Sequence, residues 1–253
     1  MAHLAPGAHA HEPSYGFRMA VVVRELSTPA LTEALARGVA DALEPGDVVA
    51  LSGDLGAGKT FFARAVAAAL GVDPGVISSP TYVIVNQYPV TPRRAGGDAG
   101  AGARTESGGR TGVEVVHADF YRLGGEDDLP ALGWDRLVGP RSIVLVEWPE
   151  RAPAALGDPS RVACVAFEAT GPESRRATLT LPEAWHGRPA YQRLIDHPPT
   201  VCAVSGRAVS PTNPAYPFAD ERSRLADLNR WFTGSYTTSR PAEPADFEDD
   251  AGS

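Results

Sequence analysis

The sequence predicts an α/β layered sheet with flanking helices, and three observations carry that expectation. An apolar run, Val48-Val49-Ala50-Leu51, passes through a glycine-rich loop straight into the alanine-rich stretch FFARAVAAAL. Further short apolar or β-branched runs recur along the chain, and strands that alternate with helices pack as layers. The 253 residues, 43% of them hydrophobic, are enough for one sizeable core.

The elements follow in order. Residues 1–18 hold Gly, Pro and three of the six histidines, His3, His9 and His11, and read as a disordered leader. Ala20 to Val23 is a short strand. Ser27 and Thr28 are N-cap candidates ahead of Pro29, and Leu31, Leu35, Val39 and Leu43 repeat at helical spacing. Asp47 to Ser52 reads as a buried parallel strand, and Gly71 closes the helix that follows the glycine loop. Tyr82 to Tyr88, Val113 to His117 and Ser142 to Glu147 are extended, and Arg161 to Glu168 pairs with Ala177 to Leu181 as a hairpin.

Two segments depart from the pattern. Residues 91–112 contain seven glycines among small and charged residues, the composition of a flexible surface insertion. The layered domain is expected over residues 19–189. Residues 190–253 form an extension read as mostly irregular, with one weak helix from Asp220 to Phe232 and a final thirteen residues holding five acids and no base.

Charge and cysteine content exclude several classes. With 23 Lys+Arg against 31 Asp+Glu, the net charge of -8 argues against a surface that coats nucleic acid. Two cysteines, Cys164 and Cys202, form neither a disulfide framework nor a four-ligand zinc site. No apolar stretch of about 18 residues exists to span a membrane, so the expectation is a cytoplasmic protein.

Of the basic residues, 22 are arginine and one is lysine, Lys59. That lysine completes GDLGAGKT: Gly53, Gly58, Lys59 and Thr60 satisfy the G-x-x-x-x-G-K-[ST] pattern between a buried strand and a helix. Glycines let backbone N–H groups wrap a phosphate, and the helix N-terminus adds partial positive charge. The lysine supplies a slim point charge for the β- and γ-phosphates, and the threonine hydroxyl suits magnesium. The sheet is therefore expected to be of the P-loop NTPase kind. GTPases usually read guanine with an Asn-Lys-x-Asp sequence, which needs a second lysine, so ATP is the expected nucleotide.

Such a loop needs a carboxylate at the end of a neighbouring strand. Glu147 ends the run SIVLV and is the expected metal partner, with Glu150 as local competitor. Asp119, in VHADFYRL, lies just past another strand, where it would orient or deprotonate water or cap the next turn. Ser79-Pro80-Thr81-Tyr82 is either a nucleotide-sensing loop or a plain Ser-Pro turn.

Taken in order, GDLGAGKT, SPTY, HADFYRL and VEWPE resemble the TsaE family of bacterial ATPases over roughly residues 20 to 182. That family acts in making threonylcarbamoyladenosine beside the anticodon of tRNA. The resemblance implies that Gly56, Ala57, Gly58 and Lys59 cradle the phosphates of ATP, that Thr60 and Glu147 bind Mg2+, and that Asp119 serves hydrolysis with Lys59. It also implies a switch-like loop at 79–82, Thr32 near the adenine, and a nucleotide contact from Arg175 or Arg176, of which Arg176 is the expected one. The implied partners are the proteins TsaB and TsaD, with tRNA reached indirectly through them. Two other classes compete. A small-molecule kinase would use Arg93, Arg94, Arg104 and Arg110 as a lid, and a nucleotide-dependent scaffold would need no turnover.

Overall fold

The computed structural model describes residues 19–80, 84–90 and 112–232. The leader, Thr81 to Val83 and nearly all of the glycine-rich insertion lie outside the described residues, as does the acidic tail.

Seven strands form one sheet: β1 (Ala20–Leu26), β2 (Val48–Gly53), β3 (Val85–Pro89), β4 (Glu114–Asp119), β5 (Ser142–Glu147), β6 (Val162–Ala169) and β7 (Arg175–Leu181). Their spatial order is β1-β7-β6-β2-β5-β4-β3. The centre is parallel, with β2 between β5 and β6 and β4 beyond β5, and antiparallel pairings of β7 with β6, β1 with β7 and β3 with β4 complete the edges. The sequence-predicted α/β layering and the hairpin near 161–181 are both present. Residues of β2 and β5 face a protein layer on both sides, which is why their sequences are unbroken apolar runs instead of alternating ones.

One face of the sheet carries α1 (Pro29–Ala42) and α2 (Lys59–Leu70). Thr28, in extended conformation, caps α1 by accepting the Leu31 N–H, and Pro29 fills the first turn, where no N–H is needed. Helix α2 ends at Gly71, whose φ of 106° suits a residue without Cβ. The Leu35, Val39, Phe62, Ala63 and Val66 stripes of the two helices are fully buried on Val49, Leu51 and Leu145. The opposite face is covered by two single-turn helices, α3 (Leu129–Leu132) and α4 (Trp134–Leu137), where Trp134 meets Phe120 edge-on at 5.3 Å.

The layered unit does not stop at residue 189. A helix, α5 (Pro189–Asp196), begins at that residue and buries Ala190, Tyr191 and Leu194 in the same core as α1. A two-stranded ribbon, β8 (Thr200–Val201) with β9 (Ala208–Val209), and the expected helix, α6 (Glu221–Phe232), follow. Only about two turns long, α5 offers too few repeats for its periodicity to stand out in proline-rich text. Just ahead of it, Arg188 reaches into the loop before β2: its guanidinium donates to both oxygens of the fully buried Asp47 and to the Ala42 carbonyl. Arg161 pairs with the same carboxylate at 2.9 Å, and the Glu44 N–H donates to it. The segment just ahead of α5 is thereby bonded to the loop that leads into β2.

Candidate functional site

β2, β4 and β5 all end at the same edge of the sheet, so the residues at their carboxyl ends converge. Leu51 lies beside Glu147 and Asp119 beside Glu147 in the strand register. Between them the loop from Gly53 to Lys59 turns the chain from β2 into α2. Gly53 and Gly58 hold φ values of 127° and 109°, and a Cβ at Gly53 would sit 2.3 Å from the Phe167 carbonyl oxygen. The first glycine of the pattern is thus required by the approach of β6 as well as by the turn.

The chain brings Lys59, Thr60, Glu147 and Asp119 around one cleft of about 240 Å3, whose wall also includes Leu55 and Trp148. Thr60 Oγ1 donates to Glu147 Oε2 at 2.7 Å. Glu147 is almost fully buried, and its other oxygen, Oε1, lies 2.9 Å from His117 Nε2. Lys59 Nζ donates to the carbonyls of Gly53 (2.6 Å) and Asp54 (2.8 Å) and stands 3.9 Å above the Trp148 ring. Burial lowers the Lys59 pKa, and the nearby Glu147, Asp119, Glu150 and Asp54 charges oppose that shift. Asp119 Oδ1 accepts the Tyr121 N–H, so the carboxylate caps the next turn while still lining the cleft. The capping reading of Asp119 is met, and the same residue lines the cleft. Glu150, on the turn after β5, is exposed.

Two expected residues are placed elsewhere. Arg176 is directed to the exposed carboxylates of Glu25 (2.6 Å) and Glu168 (3.2 Å), away from the loop. Arg175, not Arg176, lies against the loop: Nε donates to the Ala57 carbonyl at 3.0 Å, and Nη1 donates to the Gly171 and Ser174 carbonyls of its own hairpin turn. The strand period decides between them. Arg175 shares the inward face with Ala177, Leu179 and Leu181, and Arg176 shares the outward face with Thr178 and Thr180. Thr32 is buried on α1, donates to the Thr28 carbonyl at 3.4 Å, and is absent from the cleft lining. Of the 79–82 loop, Thr81 and Tyr82 lie outside the described residues, as do the lid arginines Arg93, Arg94, Arg104 and Arg110.

His117 and Trp148 also belong to the site; both stand inside the HADFYRL and VEWPE motifs, in which the residues expected to act are Asp119 and Glu147. Trp148 turns its backbone to a φ of 58° directly after β5, which lets its ring cover Lys59 and meet Tyr121 at 5.0 Å. A larger groove of about 1210 Å3 runs between α1, α2 and the ribbon, past Arg64, Asp41 and Thr212. It holds none of the convergent groups above.

The hydroxyl of Thr60 and the carboxylate of Glu147 are hard oxygen donors already side by side, the pair that magnesium takes from a protein when phosphates and water supply its remaining ligands. Among the described residues no group of three or more His, Cys, Asp or Glu side chains could hold a metal ion.

A buried parallel strand, a glycine loop ending at a lysine on a helix N-terminus, and a strand-end glutamate facing the threonine define a P-loop α/β protein. The chain belongs to the TsaE family: the family described as "Threonylcarbamoyl adenosine biosynthesis protein TsaE" matches residues 26–177. It is similar to the tRNA threonylcarbamoyladenosine biosynthesis protein TsaE of Bacillus subtilis, 31% identical over 153 residues that cover 60% of this chain and 80% of that protein. The protein of the same name from Streptomyces coelicolor is 39% identical over 117 residues, 46% of this chain and 66% of its own length. The crystal structure of Bacillus subtilis YdiB matches with a TM-score of 0.46 and 24% identity, covering 70% of this chain and 95% of that one. Among the described residues no helix is long and apolar enough to cross a membrane.

Proposed function

We propose that this chain is the ATP-hydrolysing P-loop subunit in the biosynthesis of threonylcarbamoyladenosine on tRNA, working with TsaB and TsaD. The Thr60–Glu147 contact at 2.7 Å carries the reading, because it joins the loop to a strand-end carboxylate at the spot where a nucleotide-borne cation would bind. Backbone N–H groups from Gly56 to Thr60 would receive the phosphates, helped by the N-terminus of α2. Lys59 would turn its ammonium from the Gly53 and Asp54 carbonyls to the β- and γ-phosphates. Magnesium, when bound, neutralises charge that develops on the transferred phosphoryl group.

Asp119, at the cleft wall, would orient the attacking water and receive its proton. The cleft is smaller than the roughly 300–1,000 Å3 of sites that engulf a whole ligand, which suits the phosphate end of ATP, with the adenosine over the rim. The net charge of -8 fits a subunit that leaves tRNA binding to its partners. Arg175 holds the loop from behind, through carbonyls, so its proposed part is to keep the loop's N–H groups turned inward.

The test is phosphate release from ATP and magnesium, with and without TsaB, TsaD and tRNA. Slow release that supports continued tRNA modification is expected. Transfer of the γ-phosphate to a small molecule would favour the kinase reading, and absence of any hydrolysis with all partners present would favour a scaffold.

A further inference from the structure

The imidazole of His117 is fully buried in the middle of β4, a strand otherwise built from Val115, Val116 and Ala118 at these depths. It shares a sheet face with Asp119, and its register partner on β5 is Leu145, so Glu147 is its diagonal neighbour two residues further along. Diagonal neighbours sit roughly 7–8 Å apart at the backbone, a gap that only long or aromatic side chains close. Here they close it with a contact of 2.9 Å between Nε2 and Glu147 Oε1. A carboxylate can only accept, so Nε2 carries the hydrogen. Nδ1 has no hydrogen-bond partner among the described residues.

A buried polar ring with one nitrogen unpaired costs stability that an apolar residue would not, and the compensation is confined to Glu147. That carboxylate is bonded at both oxygens, Oε1 by the histidine and Oε2 by Thr60. With only the threonine contact, Glu147 could rotate about its terminal bond and exchange oxygens. With both, it has a single arrangement.

Resting on the P-loop reading above, we infer that His117 is a positioning residue for Glu147: it holds Oε1 so that Oε2 and the Thr60 hydroxyl are aligned for a divalent cation before nucleotide arrives. Outer-shell groups of this kind change metal affinity by roughly 10–100-fold when removed. His117 touches neither nucleotide nor cation, so its loss alters the magnesium-dependent part of binding alone.

The test titrates a fluorescent non-hydrolysable ATP analogue against the full chain, once with magnesium and once with EDTA, for wild type, His117→Gln, His117→Asn and His117→Phe, with thermal unfolding of each. Gln places its amide near the position of Nε2, whereas Asn, one methylene shorter, does not reach Glu147. Gln should keep the magnesium-dependent gain within about twofold, while Asn and Phe lose about tenfold of it with metal-free affinity unchanged. Equal behaviour of Gln and Asn, or an equal loss with and without magnesium, would overturn the inference and leave His117 a packing residue. A wild-type chain that binds nucleotide yet gains nothing from magnesium would instead remove the reading of Thr60 and Glu147 as metal ligands.

Discussion

Arg188→Met asks whether the segment beyond the family match is part of the folded unit. Asp47 is fully buried and is held by Arg188 at both oxygens, by Arg161 and by the Glu44 N–H. Methionine keeps the apolar stem but leaves the Ala42 carbonyl and part of the Asp47 carboxylate without a donor. Removing one partner from a buried ion pair costs about 3–5 kcal/mol, and the surviving Arg161 contact places this case near the lower end, about 3 kcal/mol. For a chain of this size that corresponds to a fall in Tm of about 6–12 °C. Thermal unfolding followed by circular dichroism measures it, and Arg188→Lys should lose nearly as much, since one ammonium cannot replace the fork. A fall under about 2 °C would show that the segment beyond the family match is not bonded into the core through Arg188.

Other outcomes follow from the loop. Arg175→Ala should weaken nucleotide binding about tenfold by releasing the Ala57 carbonyl, whereas Arg176→Ala, which breaks only exposed ion pairs, should change it by less than about twofold. Comparable losses in both would contradict the assignment by strand face. Gly53→Ala should cost about 3 kcal/mol or more in urea unfolding, from the strained φ and the overlap with the Phe167 carbonyl, and a cost below about 1 kcal/mol would show that β6 yields.

Strong local periodicity makes most of the fold legible. The apolar runs at 48–51 and 143–146 and the Thr28-Pro29 start stand out because neighbouring residues alone determine them. The glycine loop is equally legible, since its residue types are dictated by phosphate chemistry at fixed spacing. Contact between strands is what the sequence hides. His117 stands in the HADFYRL motif, but its contact with Glu147 depends on a diagonal register between strands, and Arg188 meets Asp47 across some 140 positions. Arg175 is legible in principle, because its parity with Ala177 and Leu179 is a property of residue spacing alone. α5 escapes because eight residues give a helix too little period to read, although tertiary packing on α1 stabilises it.

The proposed role of Lys59 is to bind the nucleotide that supports tRNA modification. Its most direct measurement is the threonylcarbamoyladenosine content of tRNA in cells whose sole copy of this protein is wild type or Lys59→Ala, with equal protein levels verified. Normal modification is expected with the wild-type chain and a collapse with the variant, because the γ-phosphate loses its charge partner. Undiminished modification in cells carrying only Lys59→Ala would contradict that role.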